Sequence, residues 1–342
     1  FQAEDGIRDD WLRLVGSEMC IRDRADAAFA SWKHLPIDER VAFVTSILRA
    51  IRNWRDGFAM AIHRESGKTL SEAEQEVDAA SAEADAQVRV FKNGLVDEIA
   101  GHRVLHEPLG AVLLVTPSNF PLAAAIRKLV PALLAGNTVV VKASELTPVT
   151  MTMLFEIIER VGLPDGVANL VLAHGRDVIP TMIDTSMLQA VSLTGSNTTG
   201  TAIAEAIGAR DIRFQAEMGG SNVVVVLADA ELGAAVDAVV THGFACAGQW
   251  CTGTTRVVVE AAVYAEIRHE LVERVRAIGV GRDAKIGAMI SQAHLQRVVD
   301  TVDGLRAAGS SVVIGGHRVA DEPHGYFFEP TVLEAPGDAQ FE

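Results

Sequence analysis

At 342 residues with a net charge of −15, the chain lacks the Lys and Arg clusters that nucleic-acid phosphates or an anionic membrane surface require. Its 49% hydrophobic and 5% aromatic content suffices for large aliphatic cores, and the length suits two domains. No apolar run reaches bilayer-spanning length, no secretory signal is read at the start, and the three cysteines Cys20, Cys246 and Cys251 make no disulfide framework, so a cytoplasmic, enzyme-sized protein is expected.

Residues 1–24 fit poorly with the rest of the chain and resemble translated sequencing-adapter text; they are set aside as an assembly scar, Cys20 among them. From Ala25 the periodicity is helical, with Val41, Val44, Ile47, Leu48 and Ile51 on one face. Further helices are predicted over Trp54–His63 and from Leu70 to about Val90, separated by Ser66-Gly67-Lys68. His102–Glu107 alternates as a strand, which would hold His102 and His106 too far apart for a shared metal.

From Ala111 to Leu227 strands and helices alternate. Strands are predicted at Ala111–Val115, Thr138–Val141, Asn169–Leu172, Ala190–Leu193 and Asn222–Leu227, with helices including Leu122–Leu134 and Met151–Val161. Continuous Val-rich runs between helices imply a parallel sheet covered on both faces, a Rossmann-like doubly wound domain over residues 25–219. A second α/β catalytic domain is assigned to residues 220–342, with helices at Ala230–His242, Tyr264–Ile278 and Gln292–Ala308 and strands at Arg256–Val259, Val312–Ile314 and Thr331–Leu333.

In a doubly wound sheet, ligands sit beyond the carboxyl ends of the strands. The amide of Asn119, after the first strand, is placed to donate to an oxyanion, or is a turn residue before Pro. Lys142 and Glu145, after the second, suit ribose hydroxyls, or are a solvated pair opening a helix. Gly195-Ser196, feeding a helix N-terminus, is a pyrophosphate site or an ordinary strand-to-helix turn. Cys251 stands among Gly248, Gln249, Thr252 and Gly253, residues that let a backbone approach a substrate and leave sulfur reachable, so it is the candidate nucleophile. Glu217, read as half-buried, is the candidate base for the hydrolytic half-reaction. Cys246 reads as a small core residue on a helix, and Trp250 as a tunnel wall or a core aromatic.

The pieces Glu107-Pro-Leu-Gly-Ala-Val112, Asn119-Phe-Pro121, Pro131–Val139, Lys142–Glu145, Gly162–Val167, Thr194-Gly-Ser196, Glu217-Met-Gly-Gly220 and Gly248–Thr252 keep one order and spacing. In them the chain from about Ala25 to Glu342 resembles an NAD(P)-dependent aldehyde dehydrogenase. The resemblance implies oxidation of a small aldehyde or semialdehyde to its acid through a thiohemiacetal and thioester on Cys251, with Asn119 and the Cys251 N–H holding the oxyanion and Glu217 activating water. It implies NAD as cofactor, with NADP as the other choice, disfavoured by the Glu145 charge. Thr116, Pro117, Lys142, Ser144, Glu145, Gly175, Gly195, Ser196 and Met218 would contact it, Lys142 counting also with the catalytic set. It further implies a homodimer or homotetramer, with no metal.

The departures are Ser118 where an aromatic is usual, Ala143 where a Pro is usual, and no later Glu-x-Phe-Gly-Pro segment. With that later segment and the family's first strands missing, the chain is expected to be a fragment, and a catalytically silent, aldehyde-dehydrogenase-like binding or scaffold fragment is the alternative reading.

Overall fold

The computed structural model describes residues 18–92, 96–183, 187–208, 210–281, 284–320 and 325–336. The chain divides into two compact units, Phe1–Ile62 with Ala73–Met218, and His63–Glu72 with Gly219–Glu342. In the first unit β1 (Val96–Ile99) and β2 (His102–Leu105) form an antiparallel hairpin, on which His106 Nε2 lies 2.7 Å from Asp97 Oδ2.

The doubly wound sheet is present. It consists of β3 (Ala111–Val115), β4 (Thr138–Lys142), β5 (Ala168–Val171), β6 (Leu188–Gly195) and β7 (Arg213–Met218), all parallel, in the order β5-β4-β3-β6-β7. Every residue of β3 and β4 is buried, because alternate side chains feed two different cores. Val112, Leu114, Val139 and Val141 pack against helices Ile37–Asn53, Leu70–Phe91, Pro121–Leu134 and Pro148–Arg160. Ala111, Leu113, Val115 and Val140 pack against Glu18–Trp32, Gly175–Ile183 and Asn197–Ile207. Helices on both faces exclude water from the strands, and this two-sided burial selects β-branched runs without polar alternation.

Residues 1–17 lie outside the described residues. The first helix begins at Glu18, Ile21 belongs to the second core, and Arg24 Nε donates to Asn169 Oδ1 at 2.8 Å. Asn169, 1% exposed, also donates from Nδ2 to the carbonyls of Val139 (3.1 Å) and Gly166 (2.7 Å). Asn169→Ala would leave two buried carbonyls without this donor and release the exposed Arg24 to water, and a loss of about 1–3 kcal/mol is expected in urea denaturation. A loss under about 0.5 kcal/mol would show that the carbonyls find other partners.

The second unit pairs β8 (Asn222–Val226) in parallel with β9 (Thr254–Val259) beside helices Leu232–Phe244 and Tyr264–Arg276, around Val226, Val236, Val239, Ile267 and Leu271. Helix Gln292–Ala307 and the antiparallel pair β10 (Ser311–Ile314) and β11 (Val332–Glu334) come next. The expectation that the run from Asn222 is covered on both faces is corrected. Val224 and Val226 face the core, while Val223 is 48% and Val225 61% exposed. Segment His63–Glu72 belongs to this unit through Gly67, whose φ of +78° and 2.4 Å from a notional Cβ to the Ala288 carbonyl admit no side chain. No helix among the described residues is long and apolar enough to cross a membrane.

Candidate active site

Strand register gathers the first unit's candidates on one edge. Val115 aligns with Lys142 on one side and Leu193 on the other, and Gly195 aligns with Met218. Thr116, Pro117, Lys142, Ser196, Glu217 and Met218 therefore all stand at the carboxyl end of the sheet. The neighbours of β3 leave it in opposite directions in the strand order, so Asn119 and Ser196 come directly after the two strands at the switch point, where the open crevice of such a sheet lies.

Asn119, partly exposed, immediately precedes Phe120 and the helix Pro121–Leu134. This helix has no side-chain cap of its own. Glu76, 3% exposed on a neighbouring helix, supplies one: Oε1 accepts from the Leu122 and Ala123 N–H groups at 3.0 and 3.1 Å. A carboxylate at a helix N-terminus satisfies two of its unpaired donors and complements the dipole, and it fixes the loop that carries Asn119.

Lys142 Nζ lies 3.1 Å from Glu145 Oε2, and His174 Nδ1 lies 3.6 Å from Glu145 Oε1. Burial raises the Glu145 carboxyl, but its own backbone N–H, Lys142 and His174 outweigh that and hold it below the ordinary carboxylate range. Gly175 opens a helix next to this cluster, and a Cβ there would sit 3.4 Å from Lys142 Nζ. Ser144 Oγ accepts from Leu146 N, while Thr116 Oγ1 is buried with no partner. An ammonium that donates, a carboxylate that accepts and an orphan hydroxyl that does either stand on one sheet edge, a set that fits a ribose and its phosphates. Ser196 is the N-cap of Asn197–Ile207, and its Oγ accepts from Thr199 N at 3.2 Å. Gly200 gives room to Met218, whose sulfur a Cβ would approach to 2.2 Å.

Glu217 is exposed, which corrects its reading as half-buried. On the edge strand β7 the polar residues Gln215 and Glu217 share one face, and Gln215 Nε2 donates to Glu217 Oε1 at 2.9 Å. Gln215 Oε1 in turn accepts from Lys128 Nζ at 3.2 Å and from Ser192 Oγ. Burial pushes the Lys128 ammonium down to about 8, against the upward pull of Glu217, with Arg127 adding to the fall. The unfolded chain keeps this proton up to about pH 10.4. Between about pH 8 and that value the unfolded state binds more protons, so this group's contribution to stability rises with pH. The gap in urea midpoint between wild type and Lys128→Met is expected to shift in the wild type's favour over that interval and to stay flat below it. A gap that does not change with pH would show that Lys128 titrates as an exposed lysine.

In the second unit Cys251 is exposed and Cys246 buried. Cys246 does not lie on a regular helix, as the sequence suggested. The helix Leu232–Phe244 gives way to a tight turn in which Cys246 (φ 53°), Ala247 (φ 56°) and Gly248 (φ 73°) are all left-handed. Two successive residues with a Cβ in that region are strained and persist only where the surroundings hold them. Asn222 Nδ2 donates to the carbonyls of Cys251 (2.8 Å) and Gly253 (2.9 Å), and Gln249 Nε2 donates to that of Cys246 at 3.2 Å. Trp250 stacks on His242 with ring centroids 5.8 Å apart.

Sequence reasoning missed Lys128, Glu76, Glu72 and Asn222. Only Glu72 carried a local signal, because Thr69-Leu-Ser-Glu72 has the spacing of a capping box. The others act across 29 to 87 positions, as with Asn222 to Cys251 and Lys128 to Gln215, which no local spacing encodes.

The aldehyde dehydrogenase family matches residues 20–340. Among similar proteins, 2,5-dioxopentanoate dehydrogenase of Saccharolobus solfataricus is 32% identical over 91% of this chain and 67% of its own length. The alpha-ketoglutaric semialdehyde dehydrogenase of Bacillus subtilis is 34% identical over 91% of the chain and 66% of its own. The crystal structure of Staphylococcus aureus betaine aldehyde dehydrogenase with NAD+ superposes with a TM-score of 0.89 at 30% identity, covering 92% of this chain and 65% of that one. The chain belongs to the aldehyde dehydrogenase family, and it spans about two thirds of the length of these relatives.

Proposed function

We propose that this protein oxidises a small aldehyde, in particular a short semialdehyde, to its carboxylic acid with NAD as acceptor and NADP as the second choice. The Bacillus relative is named for alpha-ketoglutaric semialdehyde and the Saccharolobus relative for 2,5-dioxopentanoate, and the Glu145 carboxylate beside Lys142 favours an unphosphorylated 2′-hydroxyl. The observation that carries the reading is Cys251, an exposed thiol on a strained, hydrogen-bonded turn in a member of this family.

In this reading residues 25–219 bind the dinucleotide and residues 220–342 supply the nucleophile. The Cys251 thiolate adds to the aldehyde carbon. The Asn119 amide and the Cys251 N–H hold the negative oxygen. Bound nicotinamide supplies the hydride acceptor. Loss of hydride from the tetrahedral carbon leaves a thioester on sulfur. Glu217 then takes a proton from water as the water adds to that thioester, and the acid leaves with return of the thiolate. Thr116, Pro117, Lys142, Ser144, Glu145, Gly175, Gly195, Ser196 and Met218 hold the dinucleotide. A homodimer or homotetramer in the cytoplasm completes the proposal.

A panel of aldehydes tests the reading through formation of reduced nicotinamide. Short dicarboxylic semialdehydes are expected to give the highest kcat/KM, with mass spectrometry finding the acyl group on Cys251 when turnover is quenched. No reduced nicotinamide from any member of the panel, or an acyl group on another residue, would defeat it.

A further inference from the structure

The turn that carries Cys251 is gripped at both ends. Asn222 holds its exit, and at its entry the Cys246 N–H donates to Glu72 Oε1 at 2.7 Å. Inside the turn Gln249 bridges the Cys246 carbonyl (3.2 Å) and the Ile290 N–H (3.0 Å). Glu72 is also committed elsewhere. Its Oε2 accepts from the N–H and the hydroxyl of Thr69, both at 2.9 Å, and its own N–H donates to Thr69 Oγ1 at 3.2 Å. Thr69 and Glu72 thus form the capping box of helix Leu70–Phe91. One carboxylate oxygen caps a helix, while the other fixes the first left-handed residue of the nucleophile's turn.

We propose that Glu72 is a positioning residue for Cys251. By anchoring the Cys246 N–H to a capped helix start, it holds Cys246 and Ala247 in a conformation that residues with a Cβ otherwise avoid, and so sets the direction in which the thiol is presented. This rests on the assignment of Cys251 as nucleophile. A carboxylate is needed because it accepts on both oxygens. A glutamine has one acceptor, and glutamine is a normal partner in a capping box. In Glu72→Gln the amide oxygen serves the cap and the NH2 group meets the Cys246 N–H, donor against donor.

Two variants separate the roles. Glu72→Gln is expected to speed amide exchange across Cys246–Cys251 by about tenfold while the body of the helix keeps its protection. It should lower kcat by about tenfold to a hundredfold with KM for NAD unchanged, as a displaced reacting group does. Thr69→Val weakens the cap and leaves Oε1 on Cys246, so faster exchange at the helix start with the turn and kcat unchanged is expected. The inference is overturned if Glu72→Gln leaves exchange in the turn unchanged, or if Thr69→Val loosens the turn equally. A wild type that oxidises no aldehyde would instead defeat the underlying assignment of Cys251, whereas an active wild type with an equally active Glu72→Gln would defeat only the positioning role.

Discussion

Replacing Cys251 with alanine is expected to lower kcat for aldehyde oxidation by about 10⁴-fold or more while NAD binding stays within about twofold. The size reflects what the sulfur does in the proposed mechanism: it makes the bond that converts a carbonyl, from which hydride does not readily leave, into a tetrahedral alkoxide that expels it. Alanine keeps the turn's backbone bonds, since Asn222 grips the residue's carbonyl and not its side chain. The loss would therefore not come from misfolding, and unchanged amide exchange in the turn would verify that. The buried Cys246, 7% exposed and fixed by its own N–H, is a poor substitute. Steady-state kinetics together with NAD titration checks the expectation. Turnover within about tenfold of wild type would remove Cys251 from the mechanism.

The sequence made the sheet legible because its strands are buried on both sides. Ala111–Val115 and Thr138–Lys142 feed two cores with alternate side chains, so every position is apolar apart from small or terminal residues. The same rule misled at Asn222–Val226, where an equally Val-rich run exposes Val223 and Val225. Hydrophobicity reports what a strand can bury; it does not say how many faces are covered among the described residues. The edge strand Arg213–Met218 went unrecognised because Arg213, Gln215 and Glu217 break the apolar run, although their alternation with Phe214, Ala216 and Met218 is itself the pattern of a half-covered strand. Cys251, Glu217, Asn119 and Lys142 could be singled out as candidates because each stands just beyond an element or at its end. What holds them was not: Glu76, Glu72, Lys128 and Asn222 reach their partners through side chains, and a side chain's destination depends on packing rather than on neighbours in the chain. The grouping of His63–Glu72 with the second unit is of the same kind, with Gly67 against the Ala288 carbonyl and Glu72 on the Cys246 N–H.

In the proposed mechanism, Glu217→Gln separates the two halves of the reaction. The substitution preserves shape, and a glutamine oxygen still accepts from Gln215 Nε2, so the edge strand is left undisturbed. The ability to take a proton from water is lost. Acylation of Cys251 requires no water, so a first turnover of one reduced nicotinamide per thiol is expected at a rate near that of wild type. Steady-state turnover is expected to fall by about 10²–10⁴-fold, the worth of a positioned general base. The acyl group should accumulate on Cys251 and be visible in the mass of the quenched protein. A second consequence concerns Lys128. Glu217 pulls that ammonium's pKa upward against the burial that lowers it, so removing the charge should drop Lys128 further below about 8. In the variant, the pH at which stability begins to rise should move downward accordingly. If the burst and the steady state vanish together, Glu217 acts before the thioester, for example in taking the Cys251 proton; if neither changes, another group is the base.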